Sequence, residues 1–307
     1  EQNPHIYNPD RGFISSANQL PTDNLYPYNI YTNNVEHYRN RRINNVLSAN
    51  DSLTIEDFKS LHSDTYSVKA EEILPFMLDT LGTQTTTIAN EVIEELKNWN
   101  FHYEAEKLAP AYFEIWWKHL YSLIWDEILL SEHPLPKPSA YHTLTLMKNN
   151  PDLSFFDLES TPENESVKDL VLASFDSTLL EIRQWQENHP DKVLNRANYF
   201  DTRVMHYTGI KPFSVENILT GGSPNSVNAM SKAHGPSERI VIEMGDTINA
   251  WHVYPGGQPG NPGNPQYLHF MDAWTKGDYF PVYFMKSAGP EKHSATIFSQ
   301  TLVPEEK

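Results

Sequence analysis

The chain has 307 residues, 39% hydrophobic and 12% aromatic, with no cysteine and a formal charge of −17. That length and apolar content support a substantial core and exclude disorder as a description of the whole. So acidic a chain does not suit nucleic-acid phosphates or an anionic membrane face. The lack of cysteine excludes thiol catalysis, disulfides and thiolate metal ligation.

No apolar run approaches the roughly 18 residues of a membrane-spanning helix. The opening "EQNPHIYNPD" has no basic region followed by an apolar core, so no signal peptide is read in it. Two expectations follow: a cytoplasmic protein, or a chain that begins inside a longer precursor.

Residues 1–35, rich in Asn, Pro and Tyr, read as loop with short extended pieces. A helix is expected from near Val35 through "HYRNRRINNVL", where apolar residues recur at helical spacing. In "LTIEDFKSLHSD", Thr54 stands three before Asp57 as a capping pair, and Ile55, Phe58 and Leu61 share one face. "IANEVIEELKNW" repeats the pattern with Ile88, Val92, Ile93 and Leu96. Pro110 suits the first turn of a long helix carrying Tyr112, Ile115, Trp116, Leu120, Leu123 and Ile124. Three prolines in "EHPLPKPSAYH" break the pattern. It returns in the last clear helix with Val167, Leu170, Val171, Phe175, Leu179, Ile182 and Trp185.

After about Asn195 the texture turns to strands and loops. "ERIVIEM" and "INAWHVY" are two strands around the turn signal "GDT", with "DYFPVYFM" and "ATIFSQ" as further strands and "PGGQPGNPGNP" as a Gly/Pro loop. The expected fold is α+β in one continuous body: residues 1–195 mainly helical after an N-terminal loop, and 196–307 β-rich.

Complete catalytic signatures are absent. There is no G-x-S-x-G, and Ser223 in "TGGSPN" reads as a turn serine. There is no H-E-x-x-H, and the pair His62 and Asp64 reads as a helix end. "GGQPGNPGNP" lacks the Lys-Ser/Thr of a phosphate loop, and its prolines remove amide donors. No two carboxylates form an acid–base pair by spacing. Trp116, Trp117 and Trp125, like Tyr279, Phe280, Tyr283 and Phe284, are assigned to the core in preference to a ligand cage.

Several segments combine in a way that composition does not explain. "NPDRGFISSANQ", "YPYN", "HYRNRRINNVL" and "LTIEDFKSLHSDTYSVKAEEILP" follow in that order, and "HGPSERIVIEMGD" and "YPGGQPGNPGNPQYLHFMDAWTKGDYFPVYF" come much later. This ordered set resembles the penicillin acylase (penicillin amidase) family of N-terminal-nucleophile hydrolases, specifically the C-terminal half of its large chain.

The resemblance implies a parent with a four-layer αββα sandwich, to which this chain contributes helices and several strands. It implies an amide hydrolase whose nucleophile is the N-terminal serine of the large chain, activated by its own α-amine. That serine, and a backbone oxyanion donor, are expected upstream of Glu1, so the chain alone is expected to be inactive. Asn18 matches the family's oxyanion-hole asparagine. Arg39 matches an arginine near the active site, with Arg42 its near neighbour. Two roles stay open for the matched arginine: orienting the asparagine or the nucleophile's amine, or pairing structurally with an acid such as Asp64.

Where some relatives carry a calcium-binding acid this chain has Asn29, and calcium is not predicted on it. Gln266 stands where many relatives have histidine. No redox or nucleotide cofactor is implied. The implied partners are a small amide substrate, the missing small chain and the N-terminal half of the large chain, with no nucleic acid and no membrane. Open sheet edges would permit a homodimer. The implied location is periplasmic or secreted. Two rivals stand beside this reading: a non-catalytic ligand-binding module retaining the fold, and an unrelated hydrolase using Ser15 or Ser16.

Overall fold

The computed structural model describes residues 3–23, 25–30, 36–84, 86–133, 135–158, 160–284 and 300–304. Helices start where side chains can satisfy their orphan amides. After the N-terminal loop come α1 (Tyr38–Ser48) and α2 (Ile55–His62). The Thr54–Asp57 capping box opens α2, with the Asp57 amide donating to Thr54 Oγ1 and the Thr54 amide donating to Asp57. Ser67 caps α3 (Val68–Leu81), Thr86 caps α4 (Thr87–Lys97), and Pro110 lies in the first turn of α5 (Ala109–Ile124). The short α6 (Asp126–Leu130) follows, then α7 (Ala140–Asn149) behind Ser139, and α8 (Val167–Asn188) behind a Ser166–Asp169 box.

One helix has no counterpart among the expected elements: α3 holds Pro75 in its interior, which costs one backbone bond. Its face of Ala70, Ile73, Leu74, Met77 and Leu81 is buried, and this packing outweighs the proline. The α7 helix starts at the end of the proline cluster that was read as an interruption. The α1 helix is described from Tyr38, and Val35 lies outside the described residues.

The main core joins α1, α3, α4, α5, α7 and α8, with α5 against α8 as its most extensive contact. Trp116, Trp117 and Trp125 are all buried there. The Trp116 indole donates to Ser174 Oγ (3.1 Å) and that of Trp125 to Thr143 Oγ1 (3.0 Å), so both bury a satisfied N–H.

The last third opens with α9 (Arg196–Phe200) and carries β1 (Arg239–Glu243), β2 (Asn249–Val253), α10 (Met271–Lys276) and β3 (Phe280–Val282). The strands form one antiparallel sheet in the order β1-β2-β3, with Val241 opposite Trp251 and Trp251 opposite Pro281. The fold is α+β. Among the described residues, most of 201–238 and 254–270 lies outside strands, in turns, bends and irregular segments rich in Gly, Pro, Asn and Ser. "ATIFSQ" lies almost wholly outside the described residues. Tyr283 and Phe284 are exposed and do not join the core, since β3 ends at Val282 and the chain there leaves the sheet.

The two parts meet at a seam braced by a buried cation. Arg196 is fully buried, donating from Nε to Gly222 O (2.7 Å) and from Nη1 to Thr220 O (2.6 Å) and Thr202 Oγ1 (3.2 Å). Burial pushes its pKa down to about 10, still charged at neutral pH. Gly222 in turn donates to Tyr103 O (2.7 Å), and Asn228 to Asp64 O (2.9 Å). Gly222 has φ +88°, and a Cβ there would collide with Asn228 O, so glycine is required twice over.

Arg196→Met keeps the volume but orphans two buried carbonyls. It is expected to cost about 3 kcal/mol of unfolding free energy by urea titration. His62 supplies a pH test. Its ring lies 2.7 Å from Tyr279 Oη, with Arg239 and Lys59 as the neighbouring cations, and burial holds its pKa below the ordinary value of 6.5. The unfolded chain then binds the proton more readily, so stability is full above pH 6.5 and falls as pH drops below it. The urea midpoint is expected to fall between about pH 6.5 and 5, and less steeply in His62→Gln.

Candidate functional site

The stretch Asn8–Gln19 carries little backbone hydrogen bonding of its own. A turn closes it at one end, with the Gly12 amide donating to Pro9 O (2.9 Å). Arg11 donates from Nε to Phe13 O (2.9 Å) and lies over the Phe13 ring. Beyond Phe13, the contacts holding the loop come from side chains.

Asn18 has φ +65°, a left-handed conformation that asparagine tolerates better than most residues, and its side chain is exposed. The preceding Ala17 is buried, and its amide donates to Gln19 Oε1 (2.7 Å). Arg39, in the first turn of α1, reaches back across the loop. Its Nη2 donates both to Ala17 O (3.0 Å) and to Asn18 Oδ1 (2.9 Å). Partial burial lowers the Arg39 pKa from its ordinary value. A guanidinium has no acceptor, so the amide oxygen of Asn18 must face it, and the NH₂ is turned away and left to donate.

The two arginines that sequence left open are separated by the structure. Arg42 donates from Nε to Asp64 Oδ2 (2.8 Å), with Nη2 2.7 Å from the same oxygen, and stacks over Tyr66. Asp64 Oδ1 accepts from the Tyr66 amide (2.7 Å). Arg41 pairs with Glu72 at 2.6 Å. Arg39 has no carboxylate partner among the described residues, and its side-chain partner there is Asn18.

Ser15 stands three residues before Asn18 with its hydroxyl already engaged. It donates to Asn44 Oδ1 (2.8 Å) and accepts from Asn40 Nδ2 (3.1 Å). Asn40 and Asn44 were not singled out from sequence. Their signal was two asparagines at i and i+4 on α1, the spacing that puts two side chains on one face. An open cleft of about 730 Å³ lies beside the loop, lined by Ile6, Ile14, Ser15, Gln19, Tyr26 and Tyr28 among others.

The remaining candidates resolve simply. Ser223 is buried in a turn, bonded to Ser226 Oγ (2.8 Å) and to the Asn225 amide. His62 bonds Tyr279 while Asp64 holds Arg42, so the pair does not converge. Asn29 is exposed and offers a neutral amide oxygen, and no group of three His, Asp or Glu converges among the described residues. Gln266 belongs to the Gly/Pro loop, and its carbonyl passes so close to Gly257 that a Cβ there would collide with it.

Comparison with known proteins gives a consistent result. The family model described as penicillin amidase matches residues 1–291. The penicillin acylase 2 proenzyme of Pseudomonas sp. (strain SE83) is 22% identical over 319 residues, covering 99% of this chain and 40% of that protein. The acyl-homoserine lactone acylase QuiP of Pseudomonas fluorescens (strain Pf0-1) is 33% identical over 70 residues, covering 20% of this chain and 9% of that protein. Among solved structures, the thermostable penicillin G acylase of Alcaligenes faecalis matches with a TM-score of 0.57 at 11% identity, over 97% of this chain and 59% of that one. The chain thus spans about two fifths of the length of the first relative.

With its proton donated to Asn44 and no histidine bonded to it among the described residues, Ser15 lacks the activation a nucleophile needs. A serine-directed fluorophosphonate is expected to leave Ser15 and Ser16 unmodified, as read by peptide mass spectrometry. Stoichiometric labelling of either would establish the unrelated-hydrolase rival.

Proposed function

The chain belongs to the penicillin amidase family, and from that premise we propose that it is part of an amide hydrolase in which Asn18 is an oxyanion donor oriented by Arg39. The observation that carries the reading is the 2.9 Å bond from Arg39 Nη2 to Asn18 Oδ1. It fixes which end of the amide faces outward, and the cation polarises the NH₂ that remains to donate.

In the proposed reaction a serine hydroxyl attacks the carbonyl carbon of an amide. The serine is the N-terminal residue of a chain segment outside these 307 residues. Its α-amine takes the hydroxyl proton and passes it to the leaving amine as the C–N bond breaks. The carbonyl oxygen becomes an oxyanion in the tetrahedral intermediate, where the Asn18 NH₂ meets it. Water then hydrolyses the acyl-serine ester by the same route. A donor fixed in advance lowers the barrier because it needs no reorganisation as charge develops. The chemistry calls for no redox or nucleotide cofactor.

The parent fold in this reading is the four-layer αββα sandwich, which the family match and the structural likeness support at the level of α+β. Its partners are a small amide substrate, the small chain and the N-terminal half of the large chain. A homodimer through open sheet edges belongs to the same reading, since β1 and β3 are edge strands of the described sheet. The location is periplasmic or secreted. No helix among the described residues is long and apolar enough to cross a membrane. The cleft beside Asn18 favours one alternative, a non-catalytic ligand-binding module, which would bind ligand without any other chain.

In the full-length enzyme, Asn18→Ala is expected to lower kcat on a chromogenic acyl-anilide by about 10²–10³-fold, with purified protein and steady-state kinetics as the check. The 307-residue chain alone is expected to show no turnover. Turnover by that chain, or unchanged kcat in Asn18→Ala, overturns the proposal. Tight ligand binding by the isolated chain in calorimetry, with no activity in the full-length protein, establishes the binding module.

A further inference from the structure

Three side chains close a ring at the root of the Asn18 loop. Ser15 Oγ donates to Asn44 Oδ1 at 2.8 Å, Asn44 Nδ2 donates to Asn40 Oδ1 at 2.8 Å, and Asn40 Nδ2 donates to Ser15 Oγ at 3.1 Å. Each residue gives one hydrogen bond and takes one, so the donors run head to tail around the ring. Such a cycle fixes both amide orientations and the hydroxyl rotor together, and its members polarise one another. Arg11 Nη1 adds a weaker contact to Asn44 Oδ1 at 3.3 Å.

Asn40 and Asn44 sit one turn apart on α1, next to Arg39. The ring and the Arg39 contacts therefore grip the same loop, from the same helix, at Ser15 and at Ala17–Asn18. Between them lies Ser16 alone. This matters because Asn18 has φ +65°. A left-handed asparagine is costlier than an extended one and persists where its surroundings impose it. Arg39 alone could follow a shifted loop, since a long side chain adapts. The ring cannot, because its two amides rise from a helix whose Tyr38 and Leu47 are buried in the core.

We infer that Asn44, through Ser15 and Asn40, is a positioning residue that sets the backbone of the Asn18 loop for oxyanion binding. The inference rests on the proposed role of Asn18. It gives Ser15 a function other than nucleophile, and explains why a serine beside the site keeps its proton on an amide oxygen. A misplacement of the donor by a fraction of an ångström weakens its bond to the oxyanion more than it weakens ground-state binding. The loss then falls on kcat and leaves KM nearly unchanged.

The test uses the full-length enzyme and an acyl-anilide substrate. Ser15→Ala and Asn44→Ala are each expected to lower kcat about tenfold with KM within about twofold, and Ser15→Thr, which keeps the hydroxyl, to recover most of the loss. In the Asn18→Ala background, Ser15→Ala is expected to produce no further fall, because its effect passes through Asn18. Should Asn44→Ala fail to fold, the near-isosteric and uncharged Asn40→Leu removes the donor to Ser15 and the acceptor for Asn44, and is expected to fall in the same direction. Unchanged kcat in Ser15→Ala, or losses that add to that of Asn18→Ala, overturn the inference while leaving the role of Asn18 standing. Unchanged kcat in Asn18→Ala itself overturns both.

Discussion

The irregular last third of the chain is organised by one buried charge. Arg196 is enclosed by protein and bonded to oxygens of Gly222, Thr220 and Thr202. The segment from Thr202 to Met230 has no strand or helix of regular length to satisfy its own carbonyls. A fork of five donors supplies from one side chain what a ladder would supply elsewhere. Phe200 covers the guanidinium, 4.5 Å from ring centroid to Cζ. Once those carbonyls are held, Gly222 can bond Tyr103 and Asn228 can bond Asp64, and the sheet region is fastened to the helical region.

The same reasoning runs outward to the candidate site. Asp64 is tied to the last third by its carbonyl and to α1 by its carboxylate, which takes Arg42. Arg239, buried in β1, donates to Trp274 O and to Asn228 Oδ1, joining α10 to the same seam. The α1 helix is thus held by apolar packing of Tyr38 and Leu47 and by ion pairs from Arg41 and Arg42. A helix held this firmly is a suitable base for a loop that has almost no structure of its own, and functional groups on loops need such a base.

Much of this was legible in the sequence where local chemistry decides. The Thr54 cap, the apolar stripes of α4, α5 and α8, and the two strands around "GDT" follow from spacing alone. The α3 helix was not legible, because its evidence is burial against α1, α7 and α8, which outweighs Pro75 and exists only in three dimensions. In the last third the described strands stand where the apolar runs are, and the chain between them is held by long-range bonds to Arg196 and Arg239 that leave no local signal in the sequence. At the site, Asn18 and Arg39 were reached through resemblance. Which arginine pairs with Asp64 needed geometry, since Arg39 and Arg42 stand three residues apart on α1 and spacing does not tell which of them reaches the acid. Asn40 and Asn44 were passed over because an asparagine pair on a helix has no distinctive chemistry until a partner such as Ser15 is known.

The charge distribution gives the arrangement its electrostatic sense. In the proposed reaction, a chain of net charge −17 should repel a developing oxyanion unless the local field opposes the global one. Three arginines stand within four positions on α1, but two are neutralised, Arg41 by Glu72 and Arg42 by Asp64. Arg39 alone of the three has no carboxylate among the described residues, and it is the one bonded to Asn18. Its charge is not dissipated in an ion pair. In the proposed reading it acts through the amide, whose oxygen it binds and whose NH₂ it leaves to donate. Lysine at position 39 would keep the charge but not the fork's fixed plane, and so would not specify which way the Asn18 amide turns. The site thus depends less on how many cations are present than on which one is left unpaired.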